Sequence, residues 1–141
     1  MMKAVQLALV LLCLAVYGAR GEEPDGMVSR GKYLTEEVAR CQDCHTRRLA
    51  TGQLDLDAWL RGGTVEGQAK KASGKAGIEA PDITPRGQLW ARWGEKGMLR
   101  FLETGSHPGT GVRKGVFKGM PPFKLRSHDA EAIMAYLSSL R

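Results

Sequence analysis

The chain has 141 residues and a formal net charge of +6, from 21 Lys and Arg against 15 Asp and Glu. This length favours one small domain with enough residues to bury a core. The basic bias is mild. The sequence lacks the dense basic blocks and interleaved aromatic residues of a nucleic-acid-binding protein, so we expect no nucleic-acid partner.

The first 21 residues have the pattern of a secretory signal peptide. Lys3 gives a short basic region, an apolar run extends from Leu7 to Tyr17, and small residues precede the expected cleavage site. The run is shorter than the roughly 20 apolar residues that cross a bilayer, so no stable membrane span is expected after cleavage. We therefore expect a signal peptide at 1–21 and a periplasmic or otherwise exported domain at 22–141 with a charge of about +4.

The remaining sequence predicts several short helices joined by long loops. Apolar residues recur at helical spacing in four segments. The first is Met27–Val38, and the second is a short helix capped by Asp55 that turns Leu56, Trp59 and Leu60 inward and stops at Gly62. The third covers about Gly94–Glu103 and is followed by Gly105, and the fourth opens at Ser127 as its cap. The stretch 62–79 has no apolar period and is predicted to be a surface loop. Since no segment alternates like a strand over a useful length, the predicted class is all-α.

One pentapeptide carries the clearest chemistry, Cys41-Gln42-Asp43-Cys44-His45. Removal of the leader, which contains Cys13, leaves these two cysteines and no other. Two thiols three residues apart with a histidine directly after them are the pattern of covalent haem attachment. The thiols bond the two vinyl groups, and His45 becomes an axial ligand of the iron. Its second ring nitrogen is expected to bind a carbonyl or carboxylate that orients the ring.

Three other interpretations of the motif are open. A zinc site needs four ligands, and beyond the motif the obvious donors are His107 and His128, neither in a second paired motif. A thioredoxin-like redox pair needs a βαβ setting that the pattern does not show. A structural disulfide would close a very small loop and leave His45 unexplained. Haem attachment accounts for all three residues together.

The sixth iron ligand decides between an electron carrier and a ligand-binding haem protein. The candidates are Met27, Met98, Met120, Met134, His107 and His128. Met98 and Met134 lie on apolar helix faces, where an ordinary core methionine is the usual interpretation. Met120 stands before two prolines, which hold an extended backbone that can aim a thioether. Met120 is therefore the predicted ligand, and a hydrophobic loop anchor is the alternative.

These features resemble the class I monohaem cytochromes c with His/Met ligation, and in particular the cytochrome c domains of periplasmic dehydrogenase cytochrome subunits. The resemblance rests on these blocks in order: Arg30–Leu34, Cys41–Thr46, Pro81–Pro85, Trp93, Leu102–Gly105, Met120-Pro121 and Ala135–Leu137. It implies a cytochrome c fold around one covalently bound haem c and its iron. It also implies that Gly31 meets Tyr136 where the first and last helices cross. Trp59 or Trp93 would reach a haem propionate, or would instead be a buried core tryptophan.

The expected function is that of an exported electron carrier, not an enzyme. Redox partner proteins are expected to be acidic at the contact, because the mature chain is basic. Two alternatives are open: an electron-transfer subunit of a periplasmic dehydrogenase complex, and a ligand-binding or sensing haem protein if Met120 is not a ligand.

Overall fold

The computed structural model describes residues 24–65, 78–108 and 120–140. The expected signal peptide at 1–21 lies outside the described residues, as do most of the predicted loop at 62–79 and the residues just before Met120. Among the described helices, none is both long enough and apolar enough to cross a membrane.

The first and last helices cross at a glycine. Helix α1 spans Pro24–Tyr33 and continues as a π-helical turn over Leu34–Val38, and the last helix, α4, spans Ser127–Ser139. A Cβ on Gly31 would lie 1.8 Å from the carbonyl oxygen of Ala132 and 2.8 Å from Cβ of Tyr136. Only glycine permits so close an approach. The predicted contact of Gly31 with Tyr136 is thus confirmed.

Two further helices lie between them. Helix α2 is the short helix Gln42–His45, and α3 spans Gln88–Thr104. A helical segment precedes the predicted start at Gly94, and Gly94 itself is not helical, with φ +63° and ψ 175°, so it divides α3 into two helical segments. Gly105 follows the end of the helix, as predicted; it is left-handed, and its N–H bonds the carbonyl of Phe101.

The predicted all-α class is wrong, because two strands form an antiparallel sheet. Strand β1 is Arg61–Thr64 and β2 is Glu79–Asp82, with Arg61 opposite Asp82 and Gly63 opposite Ala80. Both strands fall within or beside the region that the sequence indicated as an irregular loop. They contain glycine and proline and only four residues each, so neither propensity nor alternation reveals them.

The predicted helix after Asp55 is also much shorter than expected. The Asp55 side chain does cap it, accepting a hydrogen bond from the N–H of Asp57 at 3.0 Å, but only a 3₁₀ turn over Leu56–Ala58 follows. Leu56 is 75% exposed instead of buried. Leu60 takes a left-handed conformation with φ +57°, which ends the turn and starts β1.

Among the described residues, an apolar core joins α3, α4 and the residues next to the two strands. Its buried members are Leu60, Ile83, Met98, Ile133, Met134, Tyr136 and Leu137. The apolar residues that recur at helical spacing in the last helix are buried at Ala130, Ile133, Met134 and Leu137. The capping residue of α4 is Arg126, which makes no side-chain cap, so the prediction of Ser127 as the cap was wrong.

Candidate functional site

The cysteine motif is attached directly to the end of the first helix. In the π-helical turn the N–H of Ala39 bonds the carbonyl of Leu34, and the N–H of Cys41 then bonds the carbonyl of Thr35 at 2.9 Å. Arg40, between them, has φ +51°, a conformation that costs energy in a residue other than glycine. The sharp change of direction at Arg40 starts α2 and sets its orientation.

The side chain of Gln42, inside the motif, strengthens this connection. Its amide Nε2 donates a hydrogen bond of 2.7 Å to the carbonyl oxygen of Glu36. That carbonyl lies in the last turn of the helical segment, where backbone acceptors lack partners within the helix. The two cysteines are therefore held against the end of α1 by both backbone and side-chain bonds.

Four residues predicted from the sequence line one cavity: Cys41, Cys44, His45 and Met120. The cavity has a volume of about 410 Å³. This is within the roughly 300–1,000 Å³ of typical cofactor pockets. Most of the other lining residues are apolar: Ala39, Val65, Ile78, Ala80, Pro81, Pro121 and Phe123. The structure thus brings two thiols, an imidazole and a thioether to one apolar space.

The imidazole of His45 is hydrogen-bonded to the backbone of β2. Its side chain is buried, and its Nδ1 lies 2.7 Å from the carbonyl oxygen of Pro81. A carbonyl can only accept, so Nδ1 carries the hydrogen and Nε2 keeps a lone pair that can bind a metal. Burial lowers the pKa of His45, although the bond to Pro81 and the charge of Asp82 act against this. The neutral, metal-binding form is therefore favoured.

The sheet explains why the Pro81 carbonyl lies beside His45. Thr46, directly after the histidine, pairs with Gly62 in a parallel bridge, and its Oγ1 accepts a bond of 2.9 Å from the N–H of Leu60. A Cβ on Gly63 would lie 2.6 Å from the carbonyl oxygen of Thr46, so β1 contacts the motif backbone directly. Strand β2 pairs with β1 and carries Pro81 to the imidazole.

A turn after β2 holds that strand in place. The carboxylate of Asp82 accepts hydrogen bonds from both the N–H and the hydroxyl of Thr84, each at 2.8 Å. Thr84 is only 1% exposed, and the N–H of Gly87 closes the turn on its carbonyl. The sequence predicted a carbonyl or carboxylate partner for His45 but did not indicate that the partner would be the Pro81 carbonyl.

Both thiols of the motif are free in the structure. Burial raises the pKa of Cys41 to about 11, and the neighbouring Cys44 adds to the effect. The thiol of Cys41 is therefore protonated at neutral pH and is a weak nucleophile until an outside agent activates it.

Met120 belongs to the described segment 120–126, which has neither helix nor strand and borders the cavity. Pro121 and Phe123 also line the cavity, and Pro121 and Pro122 are exposed to solvent. The N–H of Leu125 bonds the carbonyl of Leu102 at 3.1 Å, which attaches the segment to the end of α3. The position of Met120 in the cavity wall agrees with its expected placement, and its role as a ligand stays a prediction.

The two tryptophans proposed for haem propionates do not line the cavity among the described residues. The indole N–H of Trp59 donates to the hydroxyl of Tyr136 at 3.2 Å, and that hydroxyl donates to the carboxylate of Glu36. Trp93 instead packs its ring against Phe101 and His107, with ring centroids 5.4 Å and 5.0 Å apart. In these positions Trp59 joins the crossing of the first and last helices, and Trp93 packs on α3.

Most of the other candidate iron ligands lie outside the described lining of the cavity. Met27, Met134, His107 and His128 are absent from the described lining of the cavity, whereas Met98 lines a narrower extension of it. His45, which is buried and bonded to the Pro81 carbonyl, is the histidine among the described residues that lines the cavity.

Comparison with known proteins adds an independent observation. The chain is 33% identical over 132 residues to a subunit of nicotinate dehydrogenase from Pseudomonas putida. It is 31% identical over 110 residues to a diheme cytochrome c-type protein of Cereibacter sphaeroides. The chain is thus related to a cytochrome c-type protein. No family model matches it.

Both similarities cover most of this chain but a minor part of the relatives. The matches include 86% and 77% of the chain, but only 10% of the dehydrogenase subunit and 33% of the diheme protein. The shared region is thus one portion of each larger relative, and the activities of those whole proteins do not transfer with it.

Proposed function

We propose that this chain is a c-type cytochrome that transfers single electrons through one covalently bound haem with His/Met ligation. The observation that carries the proposal is the apolar cavity that Cys41, Cys44, His45 and Met120 share. The relation to a diheme cytochrome c-type protein is consistent with an electron-transfer role and with haem c and iron as cofactors. It supports a carrier more than a catalytic enzyme.

The residues of the cavity fit this cofactor in kind and number. Cys41 and Cys44 would form the two thioether bonds, and both Nε2 of His45 and the sulfur of Met120 would bind the iron. When bound, the haem supplies a one-electron couple between ferrous and ferric iron. The neutral thioether favours the ferrous state and raises the reduction potential, and the mostly apolar lining acts in the same direction.

The Pro81 carbonyl has a defined part in this proposal. By accepting the hydrogen of Nδ1, it fixes the tautomer and the plane of the His45 ring, and it increases the electron density at Nε2. Because β2 holds this carbonyl, the sheet that joins residues 61–64 and 79–82 orients the ligand.

We further propose that residues 1–21 direct export and are removed, and that residues 22–141 act in the periplasm. The excess of basic residues favours a redox partner that is acidic at the contact. Such a contact is expected to be small and short-lived, and salt should slow the reaction by screening the attraction.

A second candidate function is that of an electron-transfer subunit held permanently in a dehydrogenase complex. The similarity to a portion of the nicotinate dehydrogenase subunit favours this alternative. Purification of the tagged chain from its native cells at low and high salt separates the two. A stable subunit would keep a dehydrogenase bound at high salt, whereas a free carrier would be recovered alone.

The haem is tested by producing the chain in a bacterium that has a system for c-type haem attachment. The mass of the intact protein should exceed that of the polypeptide by one haem, with the visible spectrum of a low-spin cytochrome in both oxidation states. The Cys41→Ala, Cys44→Ala double variant should be colourless, while Leu56→Ala, at an exposed position outside the cavity, should keep the haem. A wild-type protein with the mass of the bare polypeptide would refute the proposal.

The sixth ligand has its own test in the Met120→Ala variant. Loss of this sulfur should shift the thioether-to-iron absorption band of the oxidised protein and change the reduction potential. An unchanged band and potential would exclude Met120 as the ligand in the wild-type protein.

A further inference from the structure

A second methionine borders the inner end of the cavity. A narrow extension of about 50 Å³ adjoins the main cavity, and the two share Cys41, His45, Pro81 and Met120 in their linings. Met98 lies in the wall of this extension. The two thioethers of Met98 and Met120 therefore border the same apolar space as the imidazole of His45.

The position of Met98 follows from the geometry of helix α3. Met98, Phe101 and Leu102 stand at i, i+3 and i+4, which places them on one face of the helix, and all three line the extension. Met98 is 5% exposed and packs within the core formed with Ile133 and Leu137 of α4. It is therefore fixed by a helix at the inner side of the cavity, away from solvent.

The two methionines differ in what supports them. Met120 is partly exposed and belongs to a segment without helix or strand that continues into two exposed prolines. Met98 lies on a helix, so its sulfur moves mainly by rotation about the first two side-chain torsions. A change that removes the Met120 sulfur leaves the buried Met98 side chain in the wall of the same extension.

We propose that Met98 is a reserve axial ligand, whose thioether binds the iron when Met120 is absent from the sixth position. This rests on the proposed haem function. Among the described residues that line the extension, the side chains with sulfur or nitrogen donors are Cys41, His45, Met98 and Met120. With the cysteine and the histidine already engaged, Met98 is the soft donor that remains.

The proposal is tested with four haem-loaded proteins: wild type, Met98→Leu, Met120→Ala and the double variant. Leucine nearly conserves the volume of methionine, so Met98→Leu removes the sulfur with little change in packing. In the reduced proteins, proton NMR detects a methionine methyl held over the haem plane as a strongly upfield signal. Carbon monoxide reports whether the sixth position is open.

Met98→Leu should resemble the wild type, with one upfield methyl and no binding of carbon monoxide. Met120→Ala should keep one upfield methyl at a shifted position, keep a displaced thioether band when oxidised, and still exclude carbon monoxide. The double variant should lose the upfield methyl and the band, and it should bind carbon monoxide. If Met120→Ala does not fold, Met120→Leu takes its place, both as the single variant and within the double variant.

Two results would overturn the inference. In the first, the protein that lacks only the Met120 sulfur loses the methyl signal and binds carbon monoxide as readily as the double variant. In the second, Met98→Leu alone removes the upfield methyl of the wild type. Neither result affects the mass measurement of covalent haem, so failure of this inference is distinct from failure of the proposed function.

Discussion

Replacing Gly31 by alanine tests the helix crossing on which the haem motif depends. In a helix interior this change alone gains about 1 kcal/mol of stability. Here the new Cβ would lie 1.8 Å from the Ala132 carbonyl oxygen, whereas real Cβ atoms do not approach below 3.0 Å, so α1 and α4 must separate by more than 1 Å. Such overpacking costs roughly 1–3 kcal/mol, and a contact this short belongs at the upper end. The expected net loss is about 2 kcal/mol.

The same helix offers a matched control at Gly26. A Cβ there has no atom within 4 Å, so Gly26→Ala should gain up to about 1 kcal/mol. Urea denaturation followed by far-UV circular dichroism measures both variants under one set of conditions. In thermal denaturation, Gly31→Ala should lower Tm by roughly 5–10 °C, whereas Gly26→Ala should leave it unchanged or raise it. If Gly31→Ala is as stable as Gly26→Ala, the helices do not cross at Gly31 and the packing argument fails.

Two further predictions concern polar groups near the site. Asp82→Ala leaves the buried N–H and hydroxyl of Thr84 without their acceptor, so the free energy of unfolding should fall by about 1–3 kcal/mol in thermal or urea denaturation. The control Asp57→Ala, at an exposed position, should stay within about 0.5 kcal/mol of wild type. Equal losses in the two variants would contradict the role of Asp82 in holding the turn. For Glu36, burial raises the pKa, but hydrogen bonds from Lys32 and Tyr136 outweigh it and hold the pKa below the ordinary 4.5. The ionised Glu36 therefore contributes its full stabilisation above pH 4.5, and this stabilisation is lost as the pH falls through the lower pKa of the folded protein. Between about pH 6 and pH 3, Glu36→Gln should consequently lose less stability than the wild type. Parallel stability curves for the two proteins would show that Glu36 has no such contribution.

The features that the sequence predicted correctly are those with local causes. The left-handed Gly105 ends its helix because the flanking residues already define the helix end. The spacing of Cys41, Cys44 and His45 indicates haem attachment because that chemistry requires residues adjacent along the chain. Gly31 could be paired with Tyr136 through the family resemblance, since a glycine on an apolar helix face indicates a close neighbour.

Tertiary structure decided the features that depend on residues far apart in the chain. The ladder joins residues 61–64 to residues 79–82, and β1 also contacts the backbone of Thr46, although neither segment has strong strand propensity. This pairing in turn brings the Pro81 carbonyl to His45. Packing against α4 likewise places Met98 on the wall of the same cavity as Met120. Side-chain identity therefore determined which donors the chain has, and non-local backbone pairing and helix packing determined which of them share a site.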